Sequence, residues 1–305
     1  MQTTKLDASK PRTAGIPRGS ESPSPILGVG DKIGSGDTYI VENLLADDLA
    51  ETAFEHLKRE VHWHTIHNKS GGEVPRLVAV EGVIETDGSI PLYRHPADES
   101  PPLCPFTPTV SLIAQAVSKV VNHPVNHVLI QHYRSGNDYI SEHSDKTIDV
   151  VRGSNIVNVS IGAQRVMFLR RKKDQDLSPT RYAQRIPLPH NSVFVMGLNT
   201  NREWLHGIHR DNRPVKTKSD VETAFGGERI SLTFRRIGTY LTNDSSLIYG
   251  QGAVGKTREE ARPVINRIPE ESQKLIDAFG KENHESLFDW DEAYGQGFDV
   301  VNYTV

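Results

Sequence analysis

Ile156-Val157-Asn158-Val159-Ser160-Ile161 alternates apolar and polar side chains. Val157, Val159 and Ile161 share one face, and Asn158 and Ser160 share the other. That is a strand with one face in a core. The same period runs outward on both sides. Val128 to Tyr133 precedes it, and Arg165 to Leu169, Ser192 to Met196, Trp204 to Ile208 and Arg229 to Arg235 follow. Many short strands with Gly, Asn and Pro turns argue for a sandwich or jelly roll, not a parallel α/β sheet. Helical spacing comes earlier. Leu49, Phe54, Leu57 and Val61 form a stripe, with Asp47 and Asp48 at the positive end of its dipole. Thr107-Pro108 reads as a cap and first-turn proline for a stripe of Val110, Ile113, Val117 and Val121. The expected class is mostly β with flanking helices (α+β).

The chain has 305 residues and a net charge of −4. That charge argues against a protein that coats nucleic acid non-specifically, since such binding rests on many Lys/Arg–phosphate contacts, and leaves room for a local basic patch. No apolar run approaches the roughly 20 residues of a membrane helix. The start, Met1-Gln2-Thr3-Thr4-Lys5, lacks the apolar segment of a secretory signal. A single cysteine, Cys104, excludes an internal disulfide and a cysteine-based zinc site. An intracellular setting, cytoplasm or nucleus, is expected. Residues 1–35, rich in Pro, Ser and Gly, read as a flexible arm. Residues 36–240 read as the main domain. Residues 241–305 read as an extension docked on it through Trp290, Tyr294, Phe298 and Tyr303, with a helix from Pro269 to Phe279 closed by Gly280.

Chemistry concentrates in Gln131-His132-Tyr133-Arg134-Ser135-Gly136-Asn137-Asp138-Tyr139-Ile140-Ser141-Glu142-His143-Ser144-Asp145. On a strand, the His143-x-Asp145 spacing puts an imidazole and a carboxylate on one face. His206, in Trp204-Leu205-His206-Gly207-Ile208, is a candidate third ligand. Two histidines and one carboxylate make the facial triad of non-haem Fe(II) oxygenases. In Arg229-Ile230-Ser231-Leu232-Thr233-Phe234-Arg235, both guanidiniums lie on the face opposite Ile230, Leu232 and Phe234. Two inward arginines need an anion, and a dicarboxylate suits their forked geometry. The bland alternative is a solvated strand face in each case.

Taken together, Gln131-x-Tyr133, Gly136, His143-x-Asp145, Leu205-His206-Gly207-Ile208 and Arg229 to Arg235 resemble the AlkB-type family of Fe(II)/2-oxoglutarate-dependent dioxygenases. Pro75-Arg76 and the run from Arg185 to Val193 belong to the same likeness, which spans about residues 40 to 240. The resemblance implies a double-stranded β-helix with iron on His143, Asp145 and His206. It implies that Arg229 pairs with the distal carboxylate of 2-oxoglutarate, that Arg235 lies near its iron-binding end, and that Tyr133 hydrogen-bonds it. Gln131 and Ser231 stand where the family usually has Asn. Fe(II), 2-oxoglutarate and O2 are the implied cofactor and cosubstrates.

For the substrate, base-demethylating relatives usually carry an acid two positions after the iron aspartate, where this chain has Thr147. Their aromatic finger falls within residues 78–95, which offer only Tyr93 beside Glu81, Glu85 and Asp87. Trp63 is either core or pocket wall, and Arg76, Tyr93 and Thr147 are the other substrate-side candidates. Arg170-Arg171-Lys172-Lys173 favours a phosphate path. The balance leans to oxidation of a small organic molecule, an amino acid or secondary metabolite, with oxidative demethylation of alkylated DNA or RNA as the alternative. Two readings from other classes stand beside these. Gly250 to Thr257 matches a phosphate-binding loop literally, but Pro263 follows too soon for its long helix, and Thr257-Arg258-Glu259-Glu260 reads as a capping box. A catalytically dead binding module is contradicted by the complete set of candidate ligands.

Overall fold

A computed structural model describes residues 24–67, 71–96, 100–173 and 182–302. In chain order it contains β1 (Tyr39–Glu42), α1 (Asp47–Glu60), β2 (Leu77–Gly82), β3 (Ile90–Pro91), β4 (Leu103–Pro105), α2 (Pro108–Val121), β5 (His127–Tyr133), β6 (Ile140–His143) and β7 (Ile156–Gly162). There follow β8 (Arg165–Arg171), β9 (Ala183–Leu188), β10 (Ser192–Met196), α3 (Leu198–Glu203), β11 (Trp204–Ile208), α4 (Asp220–Thr223) and β12 (Arg229–Arg235). The extension adds β13 (Thr239–Leu241), β14 (Leu247–Gly250), β15 (Arg262–Pro263), β16 (Ile265–Asn266), α5 (Pro269–His284), α6 (Trp290–Tyr294) and β17 (Val300–Asn302).

A seven-stranded sheet, ordered β1-β10-β7-β12-β5-β2-β4, is paired with a four-stranded sheet, β6-β11-β8-β9. This is the jelly roll expected. The strand period decides which side chain meets which layer. Val157, Val159 and Ile161 of β7 and Ile230, Leu232 and Phe234 of β12 point outward to Ala53, Phe54 and Leu57 of α1 and Val110, Ile113 and Val117 of α2. Burying each such aliphatic or aromatic side chain stabilises the fold by roughly 1.5–3 kcal/mol. Their polar neighbours on the same strands therefore face inward. A second core, with Met167, Leu169, Ile186, Phe194, Trp204 and Ile208, closes the inner space beyond them.

Several local expectations change. Ser24 to Ser35 of the presumed arm are placed on the sheet: Leu27 N donates to Arg185 O at 2.9 Å, and Ile33 is completely buried. Residues 1–23 lie outside the described residues. The Thr107 hydroxyl does not cap α2 but donates to Glu81 at 3.2 Å. Helix α5 continues past Gly280 to His284, because Phe279 and Glu282 are buried on its inner face.

The extension docks by its aromatics. Trp290, Tyr294 and Phe298 gather with Phe279 and Phe288 around Ile148 of the main domain, while Tyr303 lies outside the described residues. Arg94 ties it down from within. Its guanidinium pairs with Asp149 at 2.7 Å and donates to the carbonyls of Gly252, Phe298 and Val300. The Gly250–Thr257 match is not a phosphate cradle. Lys256 Nζ donates to Ala253 O at 2.7 Å, and only the three-residue 3-10 turn Arg258–Glu260 follows.

Candidate active site

The inward face of the large sheet carries most of the predicted side chains. On β12, Arg229 sits opposite Tyr133 and Ser231 opposite Gln131 of β5. Register thus turns residues far apart in sequence into one polar row. On the small sheet, His206 of β11 sits directly opposite His143 of β6.

His143, Asp145 and His206 each offer a ligand atom, all within 4.8 Å of one another. Asp145 Oδ1 stands 3.6 Å from Nε2 of both histidines. Contrary to the spacing expectation, β6 ends at His143, so Asp145 does not share a strand face with it. A loop places it instead. Asp145 N donates to Asn201 Oδ1 at 2.8 Å, and Asn201 Nδ2 returns a bond to Asp145 O at 2.9 Å.

The electrostatics suit a cation. Burial pushes the Asp145 carboxyl up, but Arg235 and the two histidines outweigh it and hold it well below the usual carboxylate range. Burial, then the neighbouring His143, pull His206 down to about 3, so its ring is neutral. His143 Nδ1 donates to Ser141 O at 2.8 Å, which turns Nε2 toward Asp145. Two imidazoles and one carboxylate are a fitting donor set for Fe(II) with open positions.

The two arginines have different partners. Arg235 donates to Asp145 itself. Arg229 is completely buried, donating to Ser160 Oγ at 2.8 Å and Asn158 Oδ1 at 3.0 Å. Its Nη1 has no hydrogen-bond partner among the described residues, and burial lowers its pKa to about 10. A buried guanidinium with an unmade bond is costly. A carboxylate from a ligand would complete it, which fits 2-oxoglutarate. Tyr133 Oη donates to Gln131 Oε1 at 3.2 Å, and Ser231 Oγ accepts from Asn158 at 2.8 Å.

These groups open into a cavity of about 420 Å³. Of the four substrate-side candidates, Arg76 and Tyr93 line it. Trp63 does not: it packs on the outer core, and Nε1 donates to Lys58 O at 3.2 Å. Thr147 does not either, and its hydroxyl donates to Glu282 at 2.5 Å. The basic run splits as well. Arg170 pairs with Glu142 at 2.7 Å, and Lys172 is buried against Glu282 O, so only Arg171 and Lys173 are exposed.

Sequence reasoning missed Asn158, Ser160 and Asn201, and also Glu282 and Asn283. Asn158 and Ser160 carried a signal, as inward positions of a strand already read. Asn283 lines the cavity and accepts from Ser144 N at 3.1 Å. Glu282 accepts from Thr147 N at 3.0 Å and from Tyr294 Oη at 2.7 Å. Nothing in their local sequence marks these two.

A jelly roll holding a two-histidine, one-carboxylate centre beside a buried arginine defines a non-haem Fe(II) oxygenase. Residues 37–235 match the 2OG-Fe(II) oxygenase superfamily, and the chain belongs to that family as an AlkB-like Fe(II)/2-oxoglutarate-dependent dioxygenase. It is 36% identical over 135 residues to DNA oxidative demethylase ALKBH2 of Homo sapiens, covering 44% of this chain and 48% of that protein. It is 33% identical over 153 residues to the Bos taurus protein of the same name, covering 50% and 51%. Against alpha-ketoglutarate-dependent dioxygenase alkB homolog 3 of Bos taurus the figure is 26% over 194 residues, 62% of each chain. The chain thus spans about half the length of the ALKBH2 relatives.

Proposed function

We propose that the protein is an oxidative demethylase of alkylated nucleic-acid bases. This reading replaces the leaning to a small organic substrate. The observation that carries it is the likeness to DNA oxidative demethylases. The cavity supports it: at about 420 Å³ it has room for a single flipped base above the triad. Thr147 does not line the cavity and Tyr93 does, so neither residue weighs against a base.

When bound, the iron supplies the activation of oxygen. The chain's own residues do the rest. His143, Asp145 and His206 hold the metal, and Arg235 keeps Asp145 ionised and oriented. Arg229 takes the distal carboxylate of 2-oxoglutarate, with Tyr133, Gln131 and Ser231 along its length. Ile66, Val74 and Val78 line the apolar side and exclude water. One oxygen atom enters the N-methyl group and the other enters succinate, while 2-oxoglutarate loses carbon dioxide. The N-hydroxymethyl product then breaks its C–N bond to release formaldehyde, and the ring nitrogen recovers its ordinary valence.

Anaerobically iron-loaded protein given oxygen, 2-oxoglutarate and methylated oligonucleotides should release formaldehyde and succinate in equal amounts. Succinate release with no change in the methylated base would overturn the reading. In the described residues no helix is long and apolar enough to cross a membrane.

A further inference from the structure

Strand β6 stops at His143, so the buried backbone that carries Asp145 has no ladder to pair with. Buried amides must find partners elsewhere. In Ser144-Asp145-Lys146-Thr147, each of the four N–H groups donates to a side chain from a distant part of the chain. Asp145 N uses Asn201 Oδ1 at 2.8 Å, and Lys146 N uses Tyr93 Oη at 3.2 Å. The outer two go to adjacent residues of α5. Ser144 N donates to Asn283 Oδ1 at 3.1 Å, and Thr147 N donates to Glu282 Oε1 at 3.0 Å.

Helix α5 is itself fixed where it makes these contacts. Glu282 is buried, and its Oε2 accepts from Tyr294 Oη at 2.7 Å. Its carbonyl accepts from Lys172 Nζ at 2.6 Å and from Ser144 Oγ at 3.2 Å. Lys146 Nζ joins the group, donating to Ser144 O at 3.0 Å and to Asn283 Oδ1 at 3.3 Å. Two ammonium groups at the last turn also suit the negative end of the helix dipole. The helix thus grips the loop on both sides of Asp145, through the residue before it and the second residue after it.

A metal site tolerates little movement of its ligands. Asp145 Oδ1 stands 3.6 Å from each imidazole Nε2, and metal–ligand distances hold to within about 0.2 Å. We propose that Glu282 and Asn283 are positioning residues for Asp145, acting through Thr147 and Ser144, so that the extension completes the metal site. The inference rests on the reading of His143, Asp145 and His206 as the metal ligands.

The test measures Fe(II) affinity of the full chain by anaerobic competition with a ferrous chelator. Visible d–d absorption of the Co(II)-loaded protein, which reports ligand geometry, is recorded beside it. Neither readout needs a substrate. Asn283→Ala should weaken Fe(II) by about three- to tenfold, less than the loss of a group that touches a ligand directly, and should alter the Co(II) spectrum. Glu282→Ala should act in the same direction. Glu282→Gln keeps an acceptor for Thr147 N and should recover most of the affinity. Leu275→Ala, which opens a cavity under the same helix, should lower the melting temperature and leave Fe(II) affinity within about twofold. Unchanged affinity and spectrum in both alanine variants of the pair, or an equal loss in Leu275→Ala, would overturn the inference. If Glu282→Ala does not fold, Asn283→Ala decides alone. If the native chain binds Fe(II) no better than His143→Ala does, the metal assignment itself fails and the inference falls with it.

Discussion

Arg235 donates through Nε at 3.0 Å and Nη2 at 2.6 Å to one and the same oxygen of Asp145, Oδ2. The other oxygen, Oδ1, is left equidistant from the two histidines at 3.6 Å. The guanidinium therefore decides which carboxylate oxygen faces the metal, and keeps that carboxylate charged in a buried place. Arg235→Met should weaken Fe(II) binding by about tenfold to a hundredfold, the usual cost of removing a partner that orients a ligand. Competition with a ferrous chelator measures it. Unchanged affinity would show that the loop alone suffices.

Arg229→Ala should raise the 2-oxoglutarate requirement with a smaller effect on iron binding. The lost charge-assisted pairing is worth about 1.5–3 kcal/mol, or about ten- to a hundredfold in affinity. Arg229→Lys should recover only part of it, since an ammonium cannot reach Ser160, Asn158 and a carboxylate as a fork does. Titration of 2-oxoglutarate against succinate release reads both variants.

Stability of the metal-free protein should fall as the medium becomes acid. Burial holds His95 down to about 4 and His206 to about 3, against an ordinary value of 6.5. Burial also lowers His127, His132 and His190. Each is neutral when folded and protonates more readily once unfolded. Through these five rings the unfolded chain binds more protons below 6.5. Glu81 and Glu282, both raised by burial, act the other way but are outnumbered. Stability is therefore lost progressively as pH falls below 6.5. Melting temperature followed between about pH 7.5 and 5 should drop. A flat profile would contradict the burial of these rings.

Arg94→Met should destabilise the whole chain. It would strand Asp149, whose side chain is completely buried, and remove donors from three carbonyls of the extension. Breaking one side of such a pair costs about 3–5 kcal/mol. Urea unfolding gives the figure, and a change under about 1 kcal/mol would mean the extension is held by its aromatics alone.

Lys256→Ala should leave the protein as indifferent to ATP as the native chain. Lys256 is already occupied with Ala253 O and Gln251 O. A rise in melting temperature with ATP, abolished by the substitution, would restore the phosphate-loop reading.

The strands and the triad were readable because period and chemistry agreed. The residues of β12 alternate without a break, so the sequence itself separates Ile230, Leu232 and Phe234 from Arg229, Ser231 and Arg235. Asp145 was identified for a partly wrong reason, since its position comes from Asn201 and not from strand geometry. That pairing joins residues 56 apart, and no local pattern encodes it. Trp63 shows the opposite limit: an indole suits a pocket and a core equally well, and only the packing of α1 against β5 decides. Glu282 and Asn283 lie on a helix whose polar residues look like solvent-facing ones until its docking is known.

The stretch shared with the oxygenase family closes at Arg235, yet the Ser144 and Thr147 amides find their acceptors on α5, nearly fifty positions further on. A module ending at that border would keep His143, Asp145 and His206 and still leave those two amides of the Asp145 loop without these acceptors. The unit that seats Asp145 is therefore longer than the matched stretch.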